Sequence, residues 1–341
     1  MTRRFFAAAI VVIVAAALLI AVWPQLFGLE RQTGVAQLVS LRGLAALVAG
    51  VGVVALLLIA LLSRRVRRLA ASIALLLLVF TGVTAAVLAT RGATPAGFQT
   101  KAGADITVLS WNTLGDSPGA AEIAKLALAQ HADVVTLPET SAETADAVKQ
   151  LMSNAGSPMR ELHVSFDQVS KAHTTALLIS TKLGEYRVDT GHGSTKTVPS
   201  VVAVPVDGDG PTIVAAHAVS PVPGEMAHWR QGLDWLAQRC GQGDDVILAG
   251  DFNSTLDHYA GLGSSTPTGD GELGACHDGA RAEGSAAVGT WPTSLPAQLG
   301  APIDHVMASQ GWIFVGFRVI GSADGAGSDH RPILAQLRPG R

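Results

Sequence analysis

Cysteine is nearly missing from this sequence, with two in 341 residues. That excludes a disulfide-dense scaffold and a zinc site built on several thiolates. Charge is scarce too: 15% of the residues are Asp, Glu, Lys or Arg, against 48% hydrophobic. The mean hydropathy is +0.36. A disordered chain has the opposite balance, and an ordinary soluble domain is less apolar, so these values point to membrane segments. Two catalytic signatures are also missing. No Gly-x-Ser-x-Gly elbow stands between a strand and a helix, which removes the usual serine-hydrolase reading. No Gly-x-x-x-x-Gly-Lys-Ser/Thr loop is present to cradle a nucleotide.

The little charge there is divides the chain in two. Residues 1–98 hold nine Arg and one Glu, net +8, whereas residues 99–341 hold 15 Lys and Arg against 26 Asp and Glu, net −11. In the basic half, residues 5–23, 43–62 and 69–90 form uncharged runs of 19, 20 and 22 residues. A helix needs about 20 apolar residues to cross the hydrocarbon core, so three spans are expected, and three such runs argue against buried core helices. Arg3 and Arg4, with Arg64, Arg65, Arg67 and Arg68, lie on one side of these spans, and Arg31, Arg42 and Arg91 on the other. The positive-inside rule puts the first group in the cytoplasm and the C-terminal half outside. The stretch Thr2-Arg3-Arg4-Phe5-Phe6 before an apolar run also has the form of a secretory or twin-Arg signal. No small-x-small cleavage site stands near Trp23-Pro24, which favours an uncleaved anchor. The expected organisation is an anchor over 1–91, a Gly/Pro/Ala linker over 92–104, and a domain over 105–341.

Within that domain, short β-rich runs recur at 106–111, 133–137, 176–180, 198–206, 212–216, 246–249, 303–308, 313–320 and 333–337. Helical patterns fall at 120–130, 142–152 and 225–239. Strands dominate with helices interspersed, the mark of an α/β or α+β domain. Six of the apolar runs end or break in Asp, Glu, Asn or His: at Asn112, Glu139, His217, Asp251 with Asn253, Asp304, and Asp329 with His330. One such ending is an ordinary solvated turn. Six in one domain suggest a single site at the strand ends.

These segments, Trp111-Asn112, Leu-x-Glu ending at Glu139, His217-x-x-x-Pro221, Gly250-Asp251-Phe252-Asn253, Asp304-His305 and Ser328-Asp329-His330, resemble the endonuclease/exonuclease/phosphatase family. This group of metal-dependent phosphoesterases includes DNase I, abasic-site endonucleases, inositol-phosphate phosphatases and bacterial sphingomyelinases. The order of the motifs is the family order, over residues 105–339. One departure is Pro138, where the family usually has Gln; Pro brings no N–H and no polar side chain. The resemblance implies a DNase I-like four-layer sandwich, two mixed sheets flanked by helices. It implies Mg²⁺ or Mn²⁺ held by Asn112 and Glu139, since hard oxygen ligands suit these ions better than zinc. It gives Asp251 the task of orienting or deprotonating water, held by Asn253, which also donates to the phosphoryl group. His330, oriented by Asp329, would hydrogen-bond a phosphoryl oxygen, and His217 would contact phosphate or protonate the leaving group. Asp304 is expected near the metal or orienting His217.

Plainer roles exist for the same residues: turn formers for Asn112, Asp251 and Asn253, a helix N-terminal carboxylate for Glu139, a surface pair for Asp329 and His330. His258, His305 and Trp291 are read as structural or as substrate walls. The acidic domain, with its few and scattered basic residues, is a poor partner for duplex nucleic acid. Tethering raises the effective concentration of lipid-linked substrate. The expected function is therefore a membrane-anchored, extracytoplasmic Mg²⁺-dependent phosphatase or phosphodiesterase on a lipid-linked or other envelope phosphoester. An extracytoplasmic nuclease is the second reading. A non-catalytic membrane-anchored binding module is the third, and the full polar set argues against it. Beyond the bilayer and the phosphoester, nothing in the sequence identifies a protein partner. On an oxidising face, Cys240 and Cys276 would pair and anchor the segment 259–289; two separate buried thiols are the alternative.

Overall fold

The structure, a computed structural model, describes residues 2–94, 97–167, 170–241, 243–264 and 271–340. Residues 95–96 of the expected linker and 265–270 of the segment 259–289 lie outside the described residues. The apolar runs of the basic half form α1 (Thr2–Val22), α3 (Arg42–Leu62) and α4 (Arg67–Arg91), with a short α2 (Val35–Ser40) between the first two. Three helical stretches, Arg4–Val22, Arg42–Leu62 and Arg67–Arg91, are long and apolar enough to cross a membrane. A helix satisfies its own backbone polar groups, which hydrocarbon requires. The helices meet through Ala21, Ala49 and Phe80, with Leu18, Ala45 and Leu77 beside them. Their outer faces expose Val12, Val51, Leu58 and Leu75, an apolar surface that water would not tolerate over such a length.

Among the described residues, thirteen strands form two mixed sheets. The chain first lays down β1 (Ile106–Ser110), β2 (Val134–Pro138), β3 (Met159–Ser165) and β4 (Thr174–Ser180). It then builds the second sheet from β5 (Tyr186–Val188), β6 (Val201–Pro205), β7 (Thr212–His217), β8 (Val246–Asp251), β9 (Glu272–Leu273), β10 (Cys276–Asp278) and β11 (Asp304–Ser309). Finally β12 (Trp312–Val319) and β13 (Ile333–Pro339) return to the first sheet. The strand orders are β12-β13-β1-β2-β4-β3 and β5-β6-β7-β8-β11-β10-β9. Among the strands of the described residues, the pairs β1–β2 and β7–β8 are parallel and the other pairs antiparallel.

The central strands are buried on both faces, so they read as continuous apolar runs and do not alternate. One core lies between the sheets, where Val108, Val134 and Leu177 meet Val214, Leu248 and Met307. Outside the first sheet, α5 (Gly119–Ala129) and α6 (Ala142–Asn154) pack Ile123, Ala127, Val148 and Met152 onto Leu109, Val135 and Leu137. Outside the second, α7 (Met226–Gln238) brings Trp229, Leu233 and Leu236. Helix, sheet, sheet and helix make the four-layer sandwich, preceded by the three apolar helices.

Four strands were not apparent from apolar patterning: β3, β5, β9 and β10. β3 is a sheet edge carrying Arg160, Glu161 and His163, and the other three are two or three residues long. Cys240, after α7, and Cys276, opening β10, form a disulfide with Cα atoms 5.7 Å apart. Part of 92–104 is held on the domain: Gln99 N donates to Val315 O at 2.9 Å, and Phe98 lies against Gly316.

Candidate active site

Register assembles one side of the site. His217 at the end of β7 pairs with Asp251 at the end of β8, and Asp251 pairs with Asp304 at the start of β11. Residues directly opposite on neighbouring strands project to the same face, so these three stand in a row. The approach of β7 to β8 needs Gly250, because a Cβ there would collide with the backbone of Ala216. From the first sheet, β1 leads into Asn112 and β2 into Glu139. Glu139 has φ 57° and Asn253 has φ 46°. Such left-handed backbone is unusual for Glu and tolerated by Asn. Thr113 fixes the turn at Glu139: its N donates to Pro138 O at 3.1 Å and its Oγ1 to Glu139 O at 2.9 Å. Pro138 itself fits as the last residue of β2, with its carbonyl serving that bond.

The side chains from both sheets meet. Asn112 Nδ2 donates to Glu139 Oε1 and to Asp251 Oδ2, each at 3.0 Å, while its Oδ1 accepts from Leu114 N at 3.0 Å. Asn253 donates to Asp251 twice, from its backbone N at 2.8 Å and from Nδ2 at 3.1 Å, and ties Nδ2 to Ala218 O. His330 Nδ1 donates to Asp304 Oδ2 at 2.9 Å, leaving Nε2 3.8 Å from Asp251 Oδ2. Ser328 Oγ donates to Asn112 O at 2.6 Å and accepts from His330 N at 3.0 Å, and Trp111 Nε1 donates to His330 O at 2.9 Å. The residues beside the motif positions thus hold the two loops together.

Two expected pairings differ. Asp329 does not orient His330: its Oδ1 is 4.0 Å from Nε2, and its Oδ2 accepts from Trp291 Nε1 at 2.9 Å. Asp304 does not orient His217 but holds His330. The reason is geometric. Adjacent residues 329 and 330 turn their side chains apart, whereas β11 presents Asp304 across the gap between the sheets. His217 Nδ1 lies 3.3 Å from Thr175 Oγ1, and its Nε2 is 3.9 Å from Glu139 Oε1, beyond a hydrogen bond. Thr175, on β4, carried no signal in the sequence. His258 and His305 are structural: His258 meets Thr255 N and Ala36 O, and His305 meets Asp278 and Ser254 O.

Burial and charge set the protonation states. Burial alone would discharge His330, but Asp304 and Asp251 beside it raise its pKa and keep it an imidazolium. Burial raises Asp251, with Asp304 adding to the shift and His330 opposing it. Burial lowers His217 to about 3, with His330 and His173 contributing, so it is neutral at pH 7. Ligand atoms of Asp251, Asp304 and His330 lie within 4.8 Å of one another, and Asp304 Oδ1 is buried without a hydrogen-bond partner. A cluster of buried carboxylates with an orphaned oxygen favours a cation beside it. Because His330 is an imidazolium pinned by Asp304, the carboxylate oxygens of Glu139 and Asp251 fit a hard divalent ion better than the imidazole does. Asn112, expected as a ligand, instead turns Nδ2 to both carboxylates and commits Oδ1 to Leu114 N, so it holds them in place.

Comparison with known proteins agrees with this architecture. The D. rerio TDP2 humanized by 14 mutations is 18% identical, with a TM-score of 0.52 over 69% of this chain and 99% of that one. D. rerio TDP2 complexed with single strand DNA product is 17% identical, with a TM-score of 0.51 over the same shares, 69% and 99%. An endonuclease/exonuclease/phosphatase from Beutenbergia cavernae DSM 12333 is 18% identical, with a TM-score of 0.49 over 69% and 72%. No curated protein matches the sequence. The sequence model described as Endonuclease/Exonuclease/phosphatase family matches residues 109–330, a span that holds every residue of the site, and the chain belongs to that family.

Proposed function

We propose that the chain is a membrane-anchored, divalent-metal-dependent phosphoester hydrolase whose catalytic domain stands outside the cytoplasm and acts on a lipid-linked or other envelope phosphoester. Residues 1–91 are its anchor, 92–104 the connection and 105–341 the catalytic domain. The observation that carries the reading is the convergence of Asn112, Glu139, Asp251, Asn253, Asp304 and His330 from two sheets, in the order the family motifs prescribe.

Glu139, with Asp251 adjoining and Asn112 bridging the two carboxylates, would hold Mg²⁺ or Mn²⁺. Such an ion supplies charge neutralisation at the phosphoryl group and the leaving oxygen. Asp251, fixed by Asn112 and Asn253, orients the attacking water and takes its proton. His330 points Nε2 into the same space and donates to a phosphoryl oxygen as charge develops there, its charge maintained by Asp304. Neutral His217 binds as a hydrogen-bonding imidazole and is not poised as a charged acid. Asp329 and Trp291 form the wall beside His330.

A nuclease reading would need basic residues to neutralise a phosphate backbone, and residues 99–341 are net −11. The disulfide supports an oxidising compartment, in agreement with the arginine distribution. The test is a panel of lipid phosphoesters, nucleotides and DNA, assayed with the full chain in Mg²⁺ and in EDTA. Metal-dependent hydrolysis of a lipid phosphoester is expected; hydrolysis of DNA alone would replace this reading with the nuclease. Reporter fusions at residue 66 and at the C-terminus should lie on opposite sides of the membrane.

A further inference from the structure

Asp257 is a buried carboxylate with no place in the chemistry above, and its partners come from the anchor. Arg42, the first residue of α3, donates to it from Nε at 2.8 Å and from Nη2 at 2.7 Å. Arg91, the last residue of α4, donates from Nη1 at 2.8 Å and from Nη2 at 2.7 Å. Gln25, just beyond α1, donates to Asp257 O at 2.9 Å and to Oδ1 at 3.2 Å. The same-side ends of all three apolar helices therefore close on one residue of the catalytic domain. A 400 Å³ cavity beside it is walled by Val22, Val83 and Val87 and bounded by Arg42, Arg91 and Asp257. The triad stands where the apolar surface of the spans gives way to polar contacts.

The rest of that face follows. His258 Nε2 meets Ala36 O at 3.2 Å, and Arg31 Nη1 donates to His258 O at 2.6 Å and to Ala260 O at 2.7 Å. Gln37 Nε2 donates to Pro221 O. Ala286 N and Ala287 N donate to Arg91 O and Gly92 O at 3.1 and 2.9 Å, and Gly43 packs so closely on Gln298 O that a Cβ would collide. These contacts fall on three loops that start from or carry residues of the site: the one after His217, the one after Asn253, and the one that carries Trp291. Asp257 is four positions after Asn253, at most about 14 Å of chain. The headgroup layer is roughly 5 to 8 Å thick on each side of the hydrocarbon, so the clasp keeps Asn253 within about two such thicknesses of the span ends.

Buried ion pairs are poor sources of stability and their best-attested use is to fix one geometry. Resting on the phosphoesterase reading above, we infer that Asp257, clasped by Arg42 and Arg91, is a positioning residue that seats the active-site rim on the outer ends of the spans, so that the enzyme selects phosphoesters presented in the headgroup layer of the adjoining leaflet. The anchor is then part of the specificity apparatus and not a loose tether.

The test uses the full chain in proteoliposomes and two matched substrate pairs that share a phosphoester and differ in acyl chains. These are phosphatidylglycerol in the bilayer against glycerophosphoglycerol in solution, and phosphatidate against glycerol 3-phosphate. The wild type should favour the bilayer-held member. Asp257→Asn should lower kcat/KM for that member by about tenfold or more and leave the water-soluble member within about twofold. Arg91→Gln, which keeps the Arg42–Asp257 pair, should shift the ratio the same way by less and covers the case in which Asp257→Asn misfolds. Amides of 253–260 and 284–289 should exchange faster in both variants, with those of 246–251 still protected. An unchanged substrate ratio in both variants, whether the rates fall together or not at all, would overturn the inference, as would a wild type that favours only the soluble members. A wild type that hydrolyses no phosphoester in Mg²⁺ would instead remove the phosphoesterase reading on which it stands.

Discussion

Asp304 and His330 form a hydrogen bond across the sandwich: Oδ2 at the head of β11, in the seven-stranded sheet, accepts from Nδ1 on the loop into β13, in the six-stranded sheet, at 2.9 Å. Both are buried. The pair joins the two sheets at the floor of the site and holds the imidazole in its charged form.

From this pair it follows that Asp304→Asn should discharge His330 and misdirect Nε2, costing about 10²–10³ in kcat with a smaller effect on KM. Asp329→Asn should cost less than about tenfold, because Asp329 anchors Trp291 and adds less to the charge of His330 than Asp304 and Asp251 do. Steady-state kinetics of the two variants on one substrate decides between them; equal losses would return the orienting role to Asp329.

Glu139 projects from a left-handed residue into the polar cluster, within reach of Asn112. Glu139→Gln retains the shape and removes the charge, so Mn²⁺ affinity should fall by about 10²-fold or more. Titration of the metal-stripped protein by calorimetry or by Mn²⁺ spin resonance measures this without relying on turnover. An unchanged affinity would place the ion elsewhere.

Stability should depend on pH through Asp105. Arg338 hydrogen-bonds Asp105 and, against the opposing effect of burial, holds its carboxyl well below the usual carboxylate range, with Ala102 N and Gln336 assisting. A depressed folded-state pKa stabilises above the unfolded value, about 3.9, and that contribution disappears as pH falls through the folded value. Asp105→Asn should therefore lower the melting temperature at pH 6, and the gap from wild type should narrow as the pH drops below about 4. A gap that stays constant from pH 6 to pH 3 would contradict the assignment.

The strand-end residues were legible because each marks the point where an apolar run stops, and the family order links them. The sandwich was legible for the same reason. What could not be read depends on packing between distant segments. Asp304 and His330 are 26 residues apart, one at the head of a strand and the other on a loop leading into the opposite sheet, and nothing in either segment announces which Asp takes the imidazole. Asp257 looks like any turn residue until Arg42 and Arg91, 215 and 166 residues away, are brought to it. Composition suggested a linker at 92–104, yet Phe98 and Gln99 pack on β12, since one apolar ring and one backbone bond suffice to dock a segment that has no periodicity.

The Cys240–Cys276 bridge closes a separation of 36 residues around Asp251 and Asn253. It should stabilise the domain by about 3–4 kcal/mol through the unfolded chain. Cys240→Ser with Cys276→Ser should lower the melting temperature while leaving the site residues in place. Alkylation before and after reduction, read by mass spectrometry on protein taken from the membrane fraction, should find no free thiols in the first case and two in the second.

The central claim is that water held by Asp251 attacks phosphorus at a metal-loaded site. The most direct measurement is hydrolysis in ¹⁸O-water by the full chain with Mg²⁺, comparing wild type with Asp251→Ala. Wild type should place the label in the phosphoryl product, and the variant should release product at least about 10³-fold more slowly. Label in the alcohol product, or equal rates in the two proteins, would contradict the account.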